Sequence, residues 1–540
     1  MRRILVPLLA LTVILLAPGG AAQAKPKKLA PLGQTTGGGD RSGPAVSSPL
    51  VVNAFVAADF NNDGFRDLAI GIPGEDLPAG QVDAGAVEVL YGGPNRLSDA
   101  GNQFWSQNSK GVFDKGEPGD NFGSAVAAGD INGDGFADLA IGVPGEDVGD
   151  GTGTIVSDTG AVNLLLGSAS GLVSGGNQVL TEASQGQTLT ADDAYGSTVM
   201  FLDFTPVTDK YAELAVGVPF HDVDTMADAG EVFVDQGSDS GPVAASGAIL
   251  SGDQTGALFG FSLIAGDFDG DIHTDLGVGE PGYRVGAEVE AGKVLIYPGG
   301  GGGGILGLTQ SSLAVSDPSE GGDQFGATLA SGDFNLDGFQ DLAIGAPFED
   351  LEGTPTVVDA GEVDIVFGSG SGLAPATAKK RTDGGAADGA EDGDRFGASL
   401  IRADFNGDDF ADLAVGVPEE NVGTIEDAGA VAVLPGRSSG INIVKLVLTQ
   451  NSPGIAGACE AGDQFGTALT RGDYDNDGFS DLAVGSPQED VGSLADAGAV
   501  NAIYGSSAGL VSTGNRYWTQ DTGTLLDQAE AGDQFGFALA

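Results

Sequence analysis

The strongest constraint on this chain is that it repeats itself. An aspartate-led loop recurs at Asp59, Asp130, Asp203, Asp267, Asp333, Asp404 and Asp473, with separations of 71, 73, 64, 66, 71 and 69 residues. Seven units of about 69 residues occupy almost all of the chain from Val51 to Ala540, so the core must be added unit by unit and no room remains for another domain. Other marks keep the same register. An aromatic-Gly pair begins at Phe122, Tyr195, Phe259, Phe325, Phe396 and Phe465, eight residues before six of the aspartates, and a seventh begins at Phe535. A Gly-x-Pro triplet follows every loop, ending at Pro73, Pro144, Pro219, Pro281, Pro347, Pro418 and Pro487, and a small-Gly-x-Val segment such as Asp359-Ala-Gly-Glu-Val follows that.

Within a unit the apolar stretches are short, as in Phe325 to Ala330, Asp341 to Ala346 and Glu362 to Phe367, and Gly and Asp punctuate them. They predict strands of about five or six residues, with a fourth before the next Phe-Gly. No helical period of apolar residues persists beyond the N-terminus, so helices should be few. Four strands repeated seven times predict an all-β, seven-bladed β-propeller over residues 51–540; a linear β-solenoid is the rival. The ends favour a ring. The chain enters the first unit without a Phe-Gly pair and stops just after an extra one, so the last strand is expected to pair into the first blade.

The loops read as calcium cages. Asp59, Asn61, Asp63 and Asp67 place oxygen donors at positions 1, 3, 5 and 9, Phe65 can add its backbone carbonyl at position 7, and Gly64 permits the sharp bend. Asp130, Asn132, Asp134, Phe136 and Asp138 repeat the pattern, as do Asp333, Asn335, Asp337, Phe339 and Asp341, and Asp473, Asp475, Asp477, Phe479 and Asp481. Asp404, Asn406, Asp408, Phe410 and Asp412 keep every ligand with Asp409 in place of Gly. Asp267, Asp269, Asp271, His273 and Asp275 also keep every ligand, but Ile272 replaces the Gly and a β-branched residue resists positive φ, so this site should be weaker. The third loop is degenerate: Thr205 and Val207 stand at ligand positions, and Glu213 follows Asp203 by ten residues instead of eight, leaving Asp209 and Glu213. About six Ca²⁺ sites are expected. Hairpin turns alone would explain Asp-Gly and Asn-Gly pairs, yet they would not require Asp at position 9.

Charge and processing signals agree with an extracellular setting. Lys and Arg number 22 against 77 Asp and Glu, a net charge of −55, which disfavours nucleic acid and anionic membranes as partners. One Cys and two His exclude a disulfide framework and a Cys/His zinc site. Residues 1–24 begin with Arg2 and Arg3, run apolar from Ile4 to Ala17 and end Ala-Gln-Ala, the pattern of a cleaved secretory signal; an uncleaved anchor is the alternative. Residues 25–50 read as a disordered leader. No transmembrane segment is expected after signal cleavage, and the mature chain is expected to be a secreted monomer.

Taken together, Phe-Gly, Asp-x-Asn-x-Asp-Gly-x-x-Asp and Gly-x-Pro resemble the FG-GAP repeats of the integrin α-subunit propeller, over about residues 51–540. The resemblance implies calcium in the aspartate loops on one face and ligand binding on the other. Similar repeats occur in secreted bacterial proteins and in a glycosylphosphatidylinositol-specific phospholipase D. No integrin leg, inserted domain or separate catalytic domain is read in these residues, so integrin signalling is not implied.

Other residues invite functional readings. Arg471-Gly472-Asp473 spells an integrin-recognition tripeptide, but Asp473 opens the seventh loop and should face the ion. His273 should give only its carbonyl, His221 reads as an ordinary loop residue, Cys459 as a free thiol, and Gly299 to Gly304 as an inter-strand loop without the Lys-Ser/Thr of a phosphate cradle. Glu75-Asp76, Glu146-Asp147, Glu349-Asp350, Glu419-Glu420 and Glu489-Asp490 recur too regularly for one catalytic centre and should serve turns or solvent. The expected function is a non-catalytic adhesion or ligand-binding module for an extracellular protein or glycan. The alternative is an extracellular hydrolase or lyase using a carboxylate cluster on polysaccharide or lipid.

Overall fold

The structure is a computed structural model that describes residues 58–540 except 205–209, 245, 302–303, 316–317, 352–355 and 383–388. The expected signal and leader lie outside the described residues. Seven four-stranded antiparallel sheets follow one another along the chain, and the protein is an all-β, seven-bladed propeller. In blade 2 the strands run from the axis outward as Ala125–Gly129, Asp138–Val143, Ala161–Leu166 and Val173–Leu180. The innermost strands of all seven blades neighbour one another in a ring.

The second strand of each blade lies between two neighbouring sheets, which is why Asp138–Val143 and its equivalents are buried along their whole length and read as continuous apolar runs. Seven apolar clusters fill the wedges between blades, one per junction; Leu139 and Ile141 of blade 2, for example, pack with Val87 and Val89 of blade 1. The repeat marks have a steric cause. A Cβ on Gly142, the Gly of Gly-x-Pro, would stand 2.1 Å from the carbonyl oxygen of Gly196, the Gly of the next blade's aromatic-Gly pair. Only two glycines allow that approach.

Ring closure matches the expectation. Ala538–Leu539 forms the inner strand of blade 1, pairing Leu539 with Ile70 and Ala538 with Gly71. Phe535 and Leu539 enter the apolar cluster shared by blades 7 and 1. One boundary differs from the sequence reading: the inner strand of blade 5 is Thr328–Gly332, because Gln324 and Gly326 have φ of 55° and 89° and turn the chain around Phe325 before it. Helix is confined to three short 3₁₀ turns among the described residues, one of which, Gly299–Gly301, opens the glycine run.

Candidate metal centre and blade junctions

The aspartate loops lead into the second strand of each blade, from the first strand in blades 2 to 7, so they gather on one rim. Position 1 organises each loop. Asp130 Oδ1 accepts the N–H of Asp134 at 3.1 Å and Oδ2 that of Gly135 at 2.8 Å, and Asp59, Asp267, Asp333, Asp404 and Asp473 receive the same two bonds. The position-5 carboxylate accepts the N–H of position 7, as from Phe136 to Asp134 at 3.0 Å. Position 9 is a buried anchor: Asp138 Oδ2 accepts from Ile131 and Oδ1 from Gly167, which ties the loop to the exit of the third strand. The same pair of bonds fixes Asp67, Asp275, Asp341, Asp412 and Asp481.

Burial, opposed by these N–H donors, pushes the position-9 carboxyls up, to about 8 for Asp67, Asp138, Asp341 and Asp481, about 7 for Asp412 and about 6 for Asp275. Neighbouring loop carboxylates push the same way. The donor set suits a hard cation: in the fourth and seventh loops Asp267, Asp269, Asp271 and Asp473, Asp475, Asp477 bring carboxylate oxygens within 4.8 Å of one another. At position 3, the Oδ1 atoms of Asn335 and Asp475 are shut from solvent without a hydrogen-bond partner. These residues therefore fit a hard divalent cation, although in the seventh loop Asp475 Oδ2 is already paired with Arg96 Nε at 3.2 Å.

Ile272 does take the left-handed conformation, at φ of 75°, and Asp409 does so at 71°. A second left-handed residue, at position 4, was not anticipated; Asn62, Gly133, Gly270, Leu336, Gly407 and Asn476 occupy it, and the Asn and Gly among them were the available signal. In the third loop Asp209, Thr205 and Val207 lie outside the described residues, but Glu213 still plays the anchor, its Oε2 accepting from Phe204 at 3.0 Å. Lys210 reaches the second loop instead, with Nζ 3.0 Å from the carbonyl oxygen of Gly133. Arg471 and Gly472 close the inner strand Ala468–Gly472 and both oxygens of Asp473 are held by loop N–H groups, so the tripeptide is not presented as a free loop.

The opposite rim corrects two expectations. One glutamate of each acidic pair is buried and does not face solvent: Glu75, Glu146, Glu349 and Glu489, the first of their pairs, and Glu420, the second of its pair, are all under 6% exposed. The aspartates of the other four pairs do serve turns, as Asp147 Oδ1 accepts the N–H of Asp158. His221 is not an ordinary loop residue. It is buried, with Nδ1 2.9 Å from Asp193 Oδ2 and 3.2 Å from Glu182 Oε1, and Nε2 3.7 Å from Glu231. Burial alone would lower its pKa, but Asp193 and Glu182 outweigh it and push it up to about 10. Cys459 is a buried free thiol whose pKa burial raises.

Comparison with known proteins agrees with the motifs. The FG-GAP repeat family matches residues 51–90, 122–157, 325–366, 396–434 and 465–500, in blades 1, 2, 5, 6 and 7. The chain therefore carries FG-GAP repeats and is similar to the integrin α subunits. Integrin alpha-PS2 of Drosophila melanogaster is 31% identical over 48% of this chain and 18% of its own length, and integrin alpha-3 of Cricetulus griseus 35% over 30% and 14%. Phosphatidylinositol-glycan-specific phospholipase D of Rattus norvegicus is 34% identical over 30% of this chain and 18% of its own length. The chain thus spans less than a fifth of these relatives.

Proposed function

We propose that this chain is a secreted, calcium-stabilised propeller of integrin-α type that binds an extracellular protein or glycan, as a monomer and without catalysis, through the rim opposite the aspartate loops. The observation that carries the reading is the repeated loop: in six blades the first Asp is pinned by two backbone N–H groups while oxygen donors at positions 3 and 5 remain beside it. The bound ions would be held by the residues at positions 1, 3, 5, 7 and 9 named above and would fix the blades instead of entering a reaction. No helix of the described residues is long and apolar enough to cross a membrane. Carboxylates outside the loops recur from blade to blade, which suits a structural unit better than one asymmetric reaction centre. The test is a panel of extracellular proteins and glycans presented to the protein with and without calcium. Saturable, calcium-dependent binding without turnover is expected; turnover of a polysaccharide or lipid, lost on one substitution outside the repeat pattern, would overturn it.

A further inference from the structure

A second set of oxygen donors recurs on the rim opposite the aspartate loops, where each blade meets the next. At the junction of blades 1 and 2, Gln107, just past the outer strand of blade 1, donates from Nε2 to Glu146 of blade 2 at 2.5 Å. Asp120 lies beside this pair, its carbonyl bonded to the N–H of Gly145. Gln520, Glu75 and Asp533 repeat the arrangement at the junction of blades 7 and 1, where Gln520 donates to Glu75 at 2.7 Å and Asp533 accepts from Gly74. Gln450, Glu489 and Asp463 repeat it between blades 6 and 7.

All nine side chains are at least 95% buried, and none of their carboxylates has a Lys, Arg or His ion pair among the described residues. In each set the amide oxygen of the glutamine, Oε1 of Gln107, Gln450 and Gln520, is also shut from solvent without a hydrogen-bond partner. Each Asp carboxylate accepts one backbone N–H, from Glu117, Glu460 or Glu530, yet two carboxylates and an amide oxygen are enclosed at each junction with no cationic side chain paired to them, an arrangement that burial makes costly.

Two other junctions show how the chain compensates when the set changes. Between blades 2 and 3 the glutamine position holds Glu182 and the glutamate position holds His221, and the imidazole sits between Glu182 and Asp193. Between blades 3 and 4 all three members are gone, replaced by Gly252, Tyr283 and Ala257, and the Lys293 ammonium lies 4.1 Å from the Tyr283 ring centroid and 3.2 Å from Glu280. At the first three junctions no cationic side chain among the described residues pairs with the set, and at the two altered ones a His or Lys occupies the place; Gln310, Glu349 and Asp323 form a fourth such set between blades 4 and 5.

We propose that each of the junctions built on Gln107, Gln450 and Gln520 holds a divalent cation of calcium's class, bridging adjacent blades on the rim opposite the aspartate loops. The two carboxylates balance its charge and the orphaned amide oxygen completes an oxygen-only donor set. The inference does not depend on the aspartate loops holding calcium.

Equilibrium dialysis of the whole protein against radioactive calcium counts the ions directly. The Glu75→Gln, Glu146→Gln, Glu489→Gln triple variant should hold three fewer ions than the wild type, and each single variant one fewer, whereas Asp63→Asn, Asp134→Asn and Asp477→Asn should remove a different set additively. The Glu182→Gln, His221→Glu double variant rebuilds the missing set and should hold one more. An unchanged count in the single and triple variants, as expected if protons neutralise these carboxylates, would overturn the proposal, and so would a wild type that binds no calcium or losses confined to the loop variants.

Discussion

Ile272 stands where four of the other loops use glycine, at φ of 75° and 60% exposed, so its β-branched side chain gains little packing to offset a strained backbone. Ile272→Gly should raise the free energy of unfolding in calcium by about 1 kcal/mol, measured by denaturant titration; no change would mean that the fourth loop carries no strain. Gly142 is the opposite case. Gly142→Ala would drive a methyl group to 2.1 Å from the Gly196 carbonyl oxygen, and a loss of about 1–3 kcal/mol is expected in the same titration. His221 carries a pH dependence of definite sign. Its folded pKa, about 10, lies above the ordinary 6.5, so its contribution is complete below pH 6.5 and disappears as pH rises through 10. His221→Gln should therefore cost about 3 kcal/mol near neutral pH, with the gap to wild type closing above pH 10. An equal gap at pH 7 and pH 10.5 would show that His221 acts by shape alone.

Among the elements, the C-terminal strand has the most leverage, because two residues of pairing and the side chains around it close a ring of seven blades. Phe535→Ala removes a fully buried ring from the cluster joining blades 7 and 1 and should cost about 3–5 kcal/mol, with faster hydrogen exchange in Leu68–Ile72 than in the equivalent strands. Uniform exchange across all seven second strands would contradict a weak point at the closure. Much of this level was legible in sequence. Short apolar runs gave Asp341–Ala346 and Glu362–Phe367 to the residue, and the surplus Phe535-Gly536 pair pointed to closure. The buried polar rim was not legible from local pattern, since the fate of His221 is decided by Asp193 and Glu182, 28 and 39 residues away. The signal that existed was compensation in register: Glu at 182 where other units have Gln, His at 221 where they have Glu. Likewise, spacing identified the position-9 aspartates as oxygen donors but not as anchors, because Gly92, Gly167 and their equivalents arrive from a distant strand exit.

At the scale of the whole molecule the aspartate loops form a hydrogen-bonded chain around one rim. The carbonyl of the first Asp accepts the N–H of the eighth position in the next loop: Asp59 from Ala137, Asp267 from Gln340, Asp333 from Ala411, Asp404 from Ser480 and, across the closure, Asp473 from Arg66. An ion that stiffens one loop therefore steadies its neighbour, in a chain whose net charge of −55 otherwise opposes compaction. The most direct test of calcium as the structural partner of this propeller is thermal unfolding of the whole protein in millimolar calcium and after chelation, followed by calorimetric titration of the chelated protein. The account predicts a large fall in the unfolding temperature on chelation and its recovery as the six intact aspartate loops fill. Identical unfolding in both conditions, with no heat of binding, would contradict it and reduce the loops to turns.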